Sequence, residues 1–330
     1  MSAEKPPTLA DARAAVARLA GLAVRTPLIT NDRLDELTGG RIFLKCENLQ
    51  RTGSFKFRGG YNAVCANSDA ARERGVIASS SGNHAQGVAE ACRMFGARAT
   101  IVMPSDAPQS KMDRTRRSGA DIVTFDRAND DRDALLDQLA RESGALKIHP
   151  FDNCFVIAGQ ATVGLEAVAQ LQAAGVVPDA AVICAGGGGL IAGMHLAVSD
   201  VFPDCVFHTA EPEGHDDQAR SHAAGTRVQG SNPQPSLQDA IITPMPGEIS
   251  FSMLLGKLGP GLTATDDEAL RAVAFAYHEL KMVVEPGGAC ALATILSGAI
   301  DLRGKTAIAT LSGGNIDPSM MARALELGTS

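Results

Sequence analysis

Lys56 stands between two aromatic residues in the run Ser54-Phe55-Lys56-Phe57-Arg58-Gly59-Gly60. A lysine held among apolar side chains is poorly solvated, so its amine deprotonates more readily and can form a Schiff base with a carbonyl. Gly186, Gly187, Gly188 and Gly189 follow one apolar run and precede another. Without Cβ atoms such a backbone can approach a ligand and aim N–H groups at it. A helix opening there adds positive partial charge, and the combination suits a phosphate. Two polar clusters complete the set: Ser79-Ser80-Ser81-Gly82-Asn83-His84 and Ser312-Gly313-Gly314-Asn315, each after a short apolar run.

The glycine run by itself has two readings. Gly187-x-Gly189-x-x-Ala192 fits a relaxed dinucleotide fingerprint, with Glu211 after the next strand where a ribose-binding acid would stand. That describes a NAD-dependent dehydrogenase. A desolvated lysine beside a phosphate site and a polar cleft describes pyridoxal phosphate instead. The glycines sit mid-chain, after a complete α/β series, and a dinucleotide leaves the other clusters unexplained.

These residues need elements to position them. A helical pattern over 10–22 and a strand over 42–46 are followed by a regular series: strand 76–80, helix 85–95 stopped by Gly96, strand 100–103 stopped by Pro104, helix 109–117, strand 121–125 and helix 131–142. A second series runs through helix 160–174, strand 180–185, the glycines, helix 190–198 and strand 206–210. Helices 265–281 and 289–296 and a last buried strand 306–311 complete it, with Thr265 and Glu268 spaced as a capping box. Alternation of this kind implies βαβ units and mostly parallel sheets, in two lobes with a cleft between them. In such sheets ligands bind at the carboxyl ends of strands, which is where three of the four clusters fall. The stretch 225–246 holds four prolines and no period, and reads as a long surface loop.

The chain has 330 residues and a formal net charge of −7. The acidic balance, with two Tyr and no Trp, disfavours nucleic-acid binding. No secretory h-region is visible at the N-terminus, and the apolar stretch 180–198 contains four glycines and His195, so it reads as strand, turn and helix rather than a membrane span. Seven scattered cysteines without a CxxC pair read as reduced core residues of a cytoplasmic protein.

Taken jointly, the Ser54 to Gly59 run, Ser80-Ser81-Gly82-Asn83-His84-Ala85-Gln86-Gly87, the four glycines and Ser312 to Asn315 stand in the order and spacing of the fold-type II pyridoxal-phosphate enzymes. The chain most resembles threonine/serine dehydratases and serine racemase, from Thr26-Pro27-Leu28 to Asp317. The resemblance implies a two-lobed α/β fold like that of tryptophan synthase β, with mostly parallel twisted sheets and helices on both faces. It implies a large domain over 1–60 and 151–330 and a small inserted domain over 61–150. It implies that Lys56 forms the Schiff base, Phe55 packs on the cofactor ring, Asn83 binds the ring hydroxyl, the glycines cradle the phosphate and Ser312 faces the pyridine nitrogen. Ser80, Ser81, Asn83 and His84 would surround the substrate carboxylate, and Ser81 would serve as a second acid/base if the chain racemises serine. Glu211 and Asp217, with the backbone carbonyl of His215, match a divalent-cation site suited to Mg²⁺ or Ca²⁺.

The implied reaction is loss of water from L-threonine or L-serine to give a 2-oxo acid and ammonia. The alternatives are a 3-hydroxyaspartate dehydratase, a serine racemase and, outside the class, the NAD-dependent dehydrogenase or a non-catalytic binding protein. The only partners implied are the amino-acid substrate and a second copy in a homodimer, with no nucleic acid or membrane. Glu285-Pro286-Gly287-Gly288-Ala289 and the segment 239–251 depart from the family pattern, and the chain ends at Ser330, before the regulatory domain of biosynthetic threonine dehydratases would begin.

Overall fold

A computed structural model describes residues 5–80, 82–107, 109–126, 128–232 and 234–328. In chain order the elements are α1 (Leu9–Leu19), β1 (Leu28–Ile29), α2 (Asp32–Thr38), β2 (Arg41–Cys46), α3 (Lys56–Ala66), α4 (Ser68–Arg74), β3 (Val76–Ser79), α5 (Asn83–Phe95), β4 (Ala99–Pro104), α6 (Gln109–Arg117), β5 (Asp121–Phe125), α7 (Arg132–Ser143), β6 (Leu146–Lys147), α8 (Cys154–Ala173), β7 (Ala180–Cys184), α9 (Gly189–Val198), β8 (Val206–Pro212), α10 (Asp217–Ala224), α11 (Glu248–Leu254), β9 (Leu262–Ala264), α12 (Asp266–His278), α13 (Pro286–Leu296), β10 (Thr306–Leu311) and α14 (Pro318–Gly328).

Six strands form one sheet in the order β1-β2-β10-β7-β8-β9, and four form a second in the order β5-β4-β3-β6. Every ladder is parallel except β1 on β2. The strands of the smaller sheet all fall between β2 and β7 in the chain, and residue 60 lies inside α3. β7 (AAVIC) is buried along its whole length, as expected for a central parallel strand covered on both faces. Parallel pairing brings the carboxyl ends of β2, β10, β7 and β8 to one edge, so Ser312 and Gly186 emerge close to each other from neighbouring strands.

Local chemistry sets the boundaries. Thr265 accepts the Glu268 N–H and Glu268 accepts the Thr265 N–H, so the expected capping box starts α12. Gly96 ends α5 in the left-handed conformation at φ +73°. The pattern assigned to 160–174 begins six residues earlier, because the Asn153 side chain caps α8 at the Val156 N–H. The stretch 225–246 is only partly a surface loop. Pro and aperiodicity mark irregular backbone, not exposure, and here Gln238 and Ile241 are buried. Ile241 packs so closely on the glycine run that a Cβ on Gly186 would lie 2.7 Å from its carbonyl oxygen.

α8 has 20 residues and is apolar enough to cross a membrane by length and composition, but 67% of its apolar window is buried inside the fold, and it serves as the central core helix. It crosses α3 where two glycines meet: a Cβ on Gly159 would stand 2.6 Å from the Gly59 Cα. It meets α9 in the same way, with a Cβ on Gly193 falling 2.6 Å from the Ala161 nitrogen. The helix carrying Lys56 and the helix opened by the glycine run are therefore both seated on α8.

A buried charge network locks the first contact. Arg58 is 1% exposed and donates Nε and Nη2 to the two oxygens of Glu47, each at 2.8 Å. The same guanidinium donates to both oxygens of Glu166 on α8, at 2.7 and 2.9 Å. Lys45, from β2, donates to Glu166 at 2.8 Å and to the Thr26 carbonyl at 2.8 Å. Burial alone would raise the Glu166 carboxyl, but the hydrogen bonds and charge of Arg58, with Lys45 next, hold it below the usual carboxylate range.

Removing one member leaves buried opposite charge uncompensated, at a cost of about 3–5 kcal/mol. Glu166→Ala is therefore expected to lower the unfolding free energy by that amount in urea or heat. In the parent, the Glu166 contribution is present above the unfolded carboxylate value and is lost as pH falls through the lower folded one. Denaturation curves at a series of acid pH values check the sign: the parent loses stability on acidification, and Glu166→Ala loses less.

Candidate active site

Lys56 opens α3, immediately after Phe55 at the N-cap. Its Nζ donates to the Pro150 carbonyl at 2.9 Å and lies 5.1 Å from the centre of the Phe55 ring. Burial brings the amine down to about 8. A lysine with such a value exchanges its proton near neutrality, as a base or amine nucleophile must.

The other predicted clusters are drawn to this amine by a chain of contacts. The Phe55 N–H donates to the Ser312 carbonyl at 3.2 Å, and Ser54 forms a β-bridge with Gly313. A Cβ on Gly313 would collide with the Glu285 Oε1 and stand 3.0 Å from the Asn83 Nδ2. Asn315 donates to the Asn83 Oδ1 at 2.7 Å, and Asn83 donates to Glu285 at 2.5 Å. Phe151, next to the Pro150 carbonyl that holds Lys56, lies over Gly187, where a Cβ would collide with its ring. Lys56, Phe55, Asn83, the glycine run and Ser312 thus gather together at the carboxyl ends of β7 and β10.

Burial disfavours charge on most groups around the amine. The Ser312 hydroxyl is neutral and 4% exposed, and it contacts the Cys184 thiol at the end of β7. Burial raises the Glu285 carboxyl to about 7, against the pull of the Asn83 hydrogen bond. Burial, with the Lys56 charge next, takes His84 down to about 3, and burial takes His149 down to about 4. His84 Nε2 lies 3.2 Å from the Ile148 carbonyl, so the neutral ring carries its proton there, and its buried Nδ1 has no partner among the described residues. Ser80 accepts the Gly82 N–H at 3.1 Å just ahead of α5, leaving its own proton available to a ligand at that helix start. Ser81 lies outside the described residues.

Glu211 and Asp217 meet at the far side of the glycine run. Glu211 is fully buried and accepts the N–H groups of Gln218 and Ala219 and the Thr209 hydroxyl. Burial raises both carboxyls, Glu211 well above its usual range with Asp217 adding to it, and Asp217 to about 7. The His215 ring lies 2.5 Å from the Gln234 carbonyl. No group of three His, Cys, Asp or Glu side chains gathers as a metal site among the described residues, so any cation here would complete its shell with carbonyls and water.

Several contributors carried no role in the sequence. Glu285 stood only as a departure from pattern, and Asn315 only as the end of a motif. The Pro150 carbonyl has no side-chain signal at all, because any residue supplies a carbonyl.

The chain is similar to known proteins along most of its length. The family model described as "Pyridoxal-phosphate dependent enzyme" matches residues 19–313. The L-threo-3-hydroxyaspartate ammonia-lyase of a Pseudomonas species is 40% identical over 316 residues, covering 96% of this chain and 98% of that protein. The L-threonine ammonia-lyase of Thermotoga maritima is 38% identical, covering 97% and 79%. The solved structure of a threonine deaminase from the organism abbreviated T.th. superposes with a TM-score of 0.87 at 41% identity, covering 94% of this chain and 99% of that one.

The lowered amine can be read directly. In the cofactor-free protein, the reaction of Lys56 with an amine-directed reagent, followed by peptide mass spectrometry, is expected to show a midpoint near pH 8, the value that burial gives it. A midpoint at the ordinary lysine value, about 10.4, would contradict the desolvated setting.

Proposed function

The chain belongs to the pyridoxal-phosphate dependent enzyme family, and from that membership we propose that it removes water from a 3-hydroxy amino acid, with L-threonine or L-serine as substrate, the released enamine then taking up water to leave a 2-oxo acid and ammonia. It is an ammonia-lyase of the dehydratase type with the fold-type II architecture, and its cofactor is pyridoxal phosphate. The observation that carries the reaction is the Lys56 amine, desolvated and held by the Pro150 carbonyl, next to Phe55 that bonds Ser312 and near the glycine run, whose Gly187 and Gly188 N–H groups have no acceptor among the described residues.

The residues present fit that group. When bound, pyridoxal phosphate supplies an electron sink for charge that develops at the substrate α-carbon. Lys56 would anchor it and would serve as the base that takes the α-proton at Nζ; a value near 8 would let it give the proton up again. The glycine N–H groups and the α9 N-terminus bind the phosphate. Asn83, oriented by Asn315, donates to the ring hydroxyl. Ser312 would offer the pyridine nitrogen a neutral hydroxyl rather than a carboxylate, a setting that would favour elimination over transamination. Ser80, Ser81 and the start of α5 take the substrate carboxylate, with His84 behind them.

A second reading, 3-hydroxyaspartate, is favoured by the ammonia-lyase of the Pseudomonas species, whose name carries that substrate. It shares the α-amino acid head and the chemistry and differs in needing a place for a second carboxylate. Rates of 2-oxo acid formation from threonine, serine and hydroxyaspartate separate the two. We place the chain in the cytoplasm as a homodimer, with 61–150 as the small domain. Seven cysteines, none of them in a disulfide among the described residues, suit a reducing compartment.

Lys56→Ala removes anchor and base together. 2-Oxo acid production is expected to fall at least about a thousandfold while the apo-protein melts as the parent does. Retained turnover would contradict the assignment. A divalent cation at Glu211 and Asp217 would neutralise two buried carboxyls that have no cationic partner among the described residues, and would stabilise the fold by linkage. Chelation is therefore expected to lower the melting temperature of the parent and to leave Asp217→Asn unchanged. An identical shift in both would place the cation elsewhere.

A further inference from the structure

The glycine loop must be aimed as well as flexible. A trans peptide points its carbonyl and its N–H in opposite directions, so whatever holds a loop carbonyl also decides where the following N–H points. Two side chains hold the carbonyls here. Gln218, fully buried on α10, donates Nε2 to the Gly186 carbonyl at 2.6 Å. Ser250, fully buried on α11, donates its hydroxyl to the Gly187 carbonyl at 2.7 Å, and the Gly247 N–H reaches the same oxygen at 3.0 Å. Both side chains sit directly under Gly188, where a Cβ would lie 2.7 Å from the Ser250 Oγ and 2.8 Å from the Gln218 Nε2. With the carbonyls drawn to that side, the N–H groups of Gly187 and Gly188 face the other, and no acceptor takes them among the described residues. The Gln218 backbone is itself pinned, its N–H donating to the buried Glu211 at 2.7 Å. Its amide oxygen has no partner among the described residues, so the side chain is committed through its nitrogen to Gly186.

We propose that Gln218 and Ser250 are positioning residues for the cofactor's phosphate: by binding the outer carbonyls of Gly186 and Gly187 they turn the next two N–H groups into the cleft. The inference rests on the pyridoxal-phosphate reading of the cleft. It assigns to α10 and α11 a share of cofactor affinity that neither helix could have through contact with the cofactor ring.

The phosphate itself supplies the test. Pyridoxal carries the same aldehyde and ring without the phosphate, so apo-protein is titrated in parallel with pyridoxal phosphate and with pyridoxal, read by visible absorption. The parent gives an affinity ratio that measures the worth of the phosphate. Gln218→Met and Ser250→Ala are each expected to weaken pyridoxal phosphate about tenfold, the worth of about one hydrogen bond. They leave pyridoxal unchanged, so the ratio contracts. Ser250→Thr keeps the hydroxyl and is expected to keep the ratio. Equal losses for both ligands, or no loss, would overturn the proposal. Should Gln218→Met fail to fold, Ser250→Ala and Ser250→Thr decide it alone. A parent that gives no absorption change with either compound would refute the cofactor reading, a different failure from an unchanged ratio.

Discussion

One guanidinium determines where the reactive amine can stand. Arg58 lies two residues beyond Lys56 on α3, fully buried, and each of its donor edges is matched to a carboxylate, Glu47 from the turn after β2 and Glu166 from α8. A bidentate fork of this kind tolerates little rotation. The glycine contact between Gly59 and Gly159 removes the remaining freedom by letting the two helix backbones touch. α8 then carries α9 on its other flank through Gly193. One apolar helix thus indexes the lysine against the glycine loop, and the distance between amine and glycine loop is a property of the core, not of the loops.

The second constraint is the parallel sheet. β10 lies between β2 and β7, so Ser312 leaves the sheet beside the glycine run and beside the turn leading to Lys56. Burial at that edge disfavours every charge. It lowers Lys56, His84 and His149 and raises Glu285. All four shifts share the cause of desolvation, and the result is a site with neutral histidines in which Lys56 is the amine closest to losing its proton.

Most of the strand and helix series was legible because α/β alternation leaves period and punctuation in the residues themselves. The helix 109–117 and the strands 121–125 and 306–311 stand where the pattern put them. The four clusters were legible as ligand-binding chemistry from residue type, and their joint meaning came from order and spacing. What was not legible is long-range pairing. Nothing local marks Arg58 as the partner of Glu166, 108 residues away, or Asn83 as the partner of Glu285, 202 away. Nor does it mark Gln218 as a ligand of the Gly186 carbonyl. Such pairs exist only once the sheet order has closed. The segment near Ile241 misled for a related reason: proline content reports backbone shape, while burial depends on what the fold lays over it.

The central claim is that this cleft binds pyridoxal phosphate through Lys56. Reducing the cofactor-loaded protein with borohydride makes the lysine linkage permanent, and peptide mass spectrometry then locates it. The account predicts a single pyridoxyl-labelled peptide, modified at Lys56. A label on another lysine, or none on a protein supplied with the cofactor, would contradict it.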